Sequence, residues 1–75
     1  MKMKRKINLD TEKAAIKFVN MATSLEKPVY LTDGSNVRVS AKSLLGVLYA
    51  TFDFTEIWLE TEDTYYLVFK EFFAD

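Results

Sequence analysis

The side chains that most often do chemistry are missing from this chain or stand without partners. None of its 75 residues is histidine or cysteine. That excludes imidazole nucleophiles, thiol catalysis, disulfides and Cys/His zinc sites together. Hydroxyls and carboxylates remain. Thr11 lies between Asp10 and Glu12, but neighbouring positions at a helix start do not face each other. They therefore form no general acid and base pair, and the hydroxyl has no activating base. Ser43 follows Lys42 at the head of an apolar segment. A serine there either caps a helix and does nothing more, or offers a hydroxyl whose phosphate, with about −1.5 to −2 charges, suits unpaired helix N-terminal amides. Asp53, Glu56, Glu60, Glu62 and Asp63 lack calcium-loop spacing and have no glycine among them to make its turn. Gly34 and Gly46 are isolated, so no phosphate-cradling loop is expected. No cofactor and no metal are expected, and an enzyme is the least expected class.

A chain this short is one domain, residues 1–75, and buries only roughly 60% of its unfolded surface, so function is expected on the outside. Hydrophobic residues make up 49% of the chain and aromatics 15%, enough for a core without cross-links. Net charge is −1 but uneven: Lys2, Lys4, Arg5, Lys6, Lys13 and Lys17 come early, while Asp53, Glu56, Glu60, Glu62, Asp63, Glu71 and Asp75 come late. If the first and last segments pack together, the basic cluster is partly neutralised, and the acidic remainder repels phosphate backbones, so no nucleic-acid partner is expected. No apolar run approaches the roughly 20 residues that span a bilayer, so no membrane partner is expected either. Ile7-Asn8-Leu9-Asp10 stands where a signal peptide would need its apolar segment. A cytoplasmic location is the expectation.

The elements that must position these groups follow from periodicity. Lys4 to Leu9 alternates as a half-buried strand does. Asp10 or Thr11 can then cap a helix carrying Ala14, Ala15, Phe18, Val19, Ala22 and Leu25 at three- and four-residue spacing, with Pro28 ending it. Val29 to Thr32 and Val37 to Val39 flank Asp33-Gly34-Ser35-Asn36 as a hairpin. Ser40 or Ser43 opens a short helix to about Ala50, and Glu56 to Thr61 alternates as a fourth strand. Thr64 to Phe73 has β propensity, yet Tyr65, Val68, Phe69, Phe72 and Phe73 repeat at helical spacing, and the segment is read as a third helix. The order is βαββαβα, an α+β domain whose helices cover one face of an antiparallel sheet.

That order, with Arg38-Val39-Ser40-Ala41-Lys42-Ser43-Leu44-Leu45-Gly46-Val47-Leu48, resembles the HPr phosphocarriers of the bacterial sugar phosphotransferase system over nearly the whole chain. The resemblance implies an open-faced β-sandwich of four antiparallel strands with three helices on one face. Lys42 to Leu48 looks like the family's lysine, regulatory serine, two aliphatics, glycine and two apolar positions. A gapless alignment through Phe18, Ala22, Leu25, Val29 and Leu31 puts Thr11 at the family's phosphorylated histidine. Lys13 then stands at its phosphoryl-holding arginine and Ala14 at its proline. Aromatic Tyr49-Ala50-Thr51-Phe52-Asp53-Phe54 replaces a glycine-rich loop. Threonine forms no phosphoramidate, and a phosphothreonine ester is a poor phosphoryl donor, so the relay is expected to be lost with the scaffold kept.

By the same resemblance Ser43 is the expected regulatory phosphorylation site, and Thr11, Lys13, Leu44, Leu45 and Leu48 are the expected docking residues. A short helix cannot bury Leu44, Leu45, Val47 and Leu48 at once; Val47 is core, and the other three are either core or part of an interface patch. Catabolite-repression HPr paralogues look alike in lacking the histidine and keeping the serine. They imply a protein partner: a kinase, a transcriptional regulator or a phosphotransferase-system component. The alternative is a self-assembly domain. Trp58, Phe52 and Phe54 are either packed under other elements or contacts of a homodimer.

Overall fold

Residues 2–74 are described by a computed structural model; Met1, and Asp75 of the late acidic group, lie outside them. Strand β1 runs over Lys2–Ile7, helix α1 over Glu12–Thr23, β2 over Tyr30–Thr32, β3 over Arg38–Ser40, helix α2 over Leu44–Asp53 and β4 over Ile57–Glu62. The fold is α+β, an open four-stranded antiparallel sheet in the order β1-β4-β2-β3 with two α-helices. Chain order and sheet order differ because β4 inserts between β1 and β2, pairing Arg5 with Leu59 on one side and Leu31 with Leu59 on the other.

Strand alternation sorts the faces. Ile7, Leu31 and Leu59 point to one side and are fully buried with Ala15, Phe18, Ala22, Val47 and Ala50 of the helices. Lys2, Lys4, Lys6, Tyr30, Arg38, Trp58 and Glu60 have the opposite parity and form the uncovered face. There Arg38 bridges to Glu60 at 3.0 Å and lies 4.1 Å over the Tyr30 ring. Trp58 is half-buried because it leans on the β2–β3 turn. Gly34 takes φ +86 there, and a Cβ on it would sit 3.0 Å from the indole nitrogen. The same turn is tightened by Asp33, whose carboxylate accepts from Ser35 N at 2.8 Å and Val37 N at 3.3 Å.

Helix α1 stops at Thr23, earlier than Pro28 alone would require. The hydroxyls of Thr23 and Ser24 donate back to the carbonyls of Asn20 and Met21 at 3.0 and 2.7 Å. Leu25 N bonds to Ala22 O at 3.1 Å, so the last turn tightens and ends. Helix α2 instead runs past Ala50 to Asp53.

The third helix read into Thr64–Phe73 is absent from the structure, and this corrects the sequence reading. Two short 3-10 turns, Asp63–Tyr65 and Lys70–Phe72, stand there. Their bonds span three residues: Tyr66 N to Asp63 O, Val68 N to Tyr65 O, Phe72 N to Phe69 O and Phe73 N to Lys70 O. Successive tight turns return to the core about every three residues, so they imitate helical spacing over a short stretch. The segment must also end extended, because Phe72 O accepts from Asn8 N at 2.9 Å and Ala74 N donates to Lys6 O at 3.0 Å, with Phe73 bridged to Ile7. A continuous helix could not bring its end onto the edge of β1 in that way.

Phe69 is fully buried and Phe72 nearly so, with ring centroids 5.1 and 5.3 Å from Phe18. Phe69→Ala is therefore expected to cost about 3–5 kcal/mol in urea unfolding, a large part of the stability of a small domain. Leu67→Ala, at an exposed position, is expected to leave the midpoint nearly unchanged.

Candidate functional site

The candidate site is built by two helix N-termini and the outer face of α2. At the first, Thr11 is the cap of α1: its hydroxyl oxygen accepts from Ala14 N at 3.0 Å with the backbone extended. At the second, Ser43 caps α2, its hydroxyl oxygen accepting from Gly46 N at 3.1 Å. Ser40 bonds instead to Lys42 N at 3.1 Å, one turn too early to cap the helix. Both cap hydroxyls are exposed and engaged as acceptors, and no hydrogen bond among the described residues joins either to a basic side chain.

Gly46 brings α2 down onto the sheet. A Cβ at this position would lie 3.2 Å from Ser40 O and 3.4 Å from the Cβ of Val39. With that contact made, Val47 and Ala50 are fully buried and the opposite side of the helix faces outward. Leu45 is 81% exposed and Phe52 85%, with Leu44 and Tyr49 also exposed and Leu48 half-buried against the core. Leu45, Leu48, Tyr49 and Phe52 repeat at i, i+3, i+4, i+7, one continuous apolar stripe. No charged residue occurs between Leu44 and Phe52.

The stripe meets the start of α1 in a depression of about 250 Å³ lined by Leu9, Asp10, Thr11, Glu12, Ala15, Leu48, Thr51 and Phe52. Thr11 and Leu48 are thus brought together. Lys13 is not: it lies on the outer side of α1, along a shallow groove with Ile16, Lys17, Asn20 and Met21. Leu44 and Leu45 extend the stripe toward Ser43 and do not line the depression.

Two contributions went unread in the sequence. A helix ending near Ala50 leaves Phe52 outside it; α2 carries three residues further and sets Phe52 on the stripe with Tyr49, a continuation that its spacing from Leu45 signals. Lys42 is the other. Its ammonium donates to Leu25 O at 2.5 Å and Glu26 O at 3.5 Å, tying the residue before Ser43 to the segment after α1. The aromatic residues divide: Phe54 packs on the core and edge-on to Tyr49 at 5.9 Å, while Phe52 stands free.

Asp53, one turn beyond Tyr49, raises the Tyr49 phenol above its usual 10.0, chiefly through its negative charge. Among the described residues no group of three or more carboxylates could hold a metal ion, and no helix is long and apolar enough to cross a membrane. No protein-family model, curated protein or solved structure matches the chain.

Two measurements check this geometry. Ser43→Ala removes the acceptor for Gly46 N and is expected to lower stability by about 1 kcal/mol in denaturant unfolding. The Tyr49 ring carbon resonance is expected to titrate above pH 10 in the native protein and to move down toward the ordinary phenol range in Asp53→Asn. Because the folded-state value is the raised one, the stabilisation is fully present below the unfolded phenol value and is lost as pH rises through the folded one.

Proposed function

We propose that this chain is an HPr-like docking module that has lost histidyl phosphoryl transfer and acts by binding a protein partner, with phosphorylation of Ser43 as its switch. The observation that carries the reading is the stripe of exposed Leu45, Tyr49 and Phe52, with half-buried Leu48 among them, beside a serine-capped helix start. An apolar patch of this kind marks a protein interface more often than an idle surface. Supporting it are the six elements βαββαβ, in the order the resemblance implies. Thr11, at the resemblance's histidine position, has a hydroxyl committed to Ala14 N and no base to activate it. A phosphate on Ser43 would stand at the α2 N-terminus among helix amides and would place a charge at one end of a neutral stripe. The partner class is a kinase, a transcriptional regulator or a phosphotransferase-system component, and the setting is bacterial cytoplasm.

Self-assembly is the second reading, because a neutral apolar stripe fits a second copy of itself as well as a partner. Two experiments separate them. Incubation with an HPr kinase and ATP is expected to add one phosphate, located at Ser43 by mass spectrometry and absent from Ser43→Ala; an unmodified chain beside a modified HPr control removes the switch. In sedimentation, docking expects a monomer whose behaviour Leu45→Glu leaves alone while it abolishes partner capture. Self-assembly expects an oligomer that Leu45→Glu dissociates.

A further inference from the structure

The apolar stripe on α2 runs between carboxylates. On the side facing α1, Asp10 and Glu12 are exposed and share the depression of about 250 Å³ with Leu48, Thr51 and Phe52. On the Tyr49 side stand Asp53 and Asp33, whose negative charges both raise the Tyr49 phenol, Asp53 the more strongly. Asp53 also closes α2 at the end where the helix dipole is already negative, and the last turn carries no basic residue to offset it. No ion pair among the described residues engages Asp10, Glu12, Asp33 or Asp53. The nearest cations are held elsewhere. Lys6, which shares a neighbouring depression with Asp10, meets Glu56 at 3.4 Å. Lys42 donates to the Leu25 carbonyl at 2.5 Å, and Lys13 lies along the outer groove of α1. The Phe52 end of the stripe is therefore an apolar surface in a negative field.

We infer, resting on the proposal that this stripe is a docking surface, that the segment docking there is a cationic amphipathic helix of a partner protein. Its apolar face lies along Leu45, Leu48, Tyr49 and Phe52, and its lysines or arginines stand beside Asp10, Glu12 and Asp53. A stripe at i, i+3, i+4, i+7 offers the ridge against which a second helix packs. The depression between α1 and α2 has room for one apolar side chain of that helix beside Leu48 and Ala15. Cations three or four residues from the apolar ones flank the partner's own stripe and so reach the carboxylates on either side. An antiparallel direction also sets the positive N-terminus of the partner helix against the α2 end at Asp53. An anionic helix would cover the same apolar residues but bring like charge against those carboxylates. A second copy of this chain brings a stripe with no charged residue from Leu44 to Phe52, flanked by carboxylates of its own, and so supplies no cation.

The test uses the full-length protein labelled with ¹⁵N and a blocked synthetic peptide of about 14 residues, with leucine on one helical face and lysine and glutamine on the other. Saturable amide shifts are expected along α2 and at Asp10 and Glu12, with binding that weakens as salt rises. The same peptide with glutamate in place of lysine is expected to bind about tenfold more weakly. A peptide that keeps the lysines but scatters the leucines around the helix is expected to lose the shifts at Leu45, Leu48 and Phe52, which separates docking from a general attraction of cations. Asp53→Asn is expected to weaken the lysine peptide about threefold and to strengthen the glutamate peptide, opposite changes that a loss of structure would not produce. Equal or tighter binding of the glutamate peptide overturns the inference and leaves the stripe a docking surface. Shifts centred away from α2, no shift at millimolar lysine peptide, or shifts along α2 produced by protein concentration alone overturn it too. The docking proposal is then decided separately, by whether Leu45→Glu abolishes partner capture. The peptide comparison is made on the unaltered protein and does not depend on the folding of any variant.

Discussion

The clasp of Phe69 and Phe72 on Phe18 is the interaction on which the rest of the architecture depends. An edge-on and a tilted aromatic contact each contribute about 0.5–1.5 kcal/mol beyond the area they bury. Here they also hold α1 against a segment that has no long-range order of its own. Two isolated 3-10 turns are poor structures by themselves, since their hydrogen bonds are badly aligned and few. They persist because each aromatic ring they deliver is buried. The same clasp aims the chain so that Phe73 and Ala74 reach β1, and Arg5 then covers Phe73 from 4.4 Å while Lys17 meets Glu71 at 2.8 Å. Exposed ion pairs of that kind add little to stability. They follow the aromatic docking and do not cause it.

Most of the regular structure was legible because burial imposes a period. Ala15, Phe18, Val19 and Ala22 are buried on α1 as their spacing requires, and Leu31 and Leu59 on their strands. Caps stay open in the sequence wherever two candidates compete, Asp10 with Thr11 and Ser40 with Ser43, and in both cases the residue next to the helix takes the role. Boundaries were lost to local chemistry that periodicity does not carry. The back-bonded hydroxyls of Thr23 and Ser24 end α1 early, and the absence of any breaker after Ala50 lets α2 continue. The C-terminal segment failed for a deeper reason: a three-residue and a 3.6-residue repeat cannot be told apart over so few residues, and only the pull of the β1 edge decides between them.

For the candidate site, the residue types were readable but the side of each helix was not. Leu44, Leu45 and Leu48 could each have faced in or out, and Lys13 was assigned to the same surface as Thr11 although the helix turns it away. Such assignments depend on the rotation of a helix about its own axis, which no single residue announces. Phe52 became part of the surface through three more residues of helix, and Lys42 became a link between α2 and the end of α1 through the length of its stem.

Gly46 gives that rotation a physical origin. The space between α2 and the Ser40 carbonyl is closed to anything larger than a hydrogen without movement of the backbone, so this position acts as a bearing on which the helix is seated at one roll angle. Turning α2 by the width of one residue would sink Leu45 or Phe52 and lift Val47. The character of the molecule's outer face is thus set from underneath, by the one residue of the helix that brings no side chain to either side.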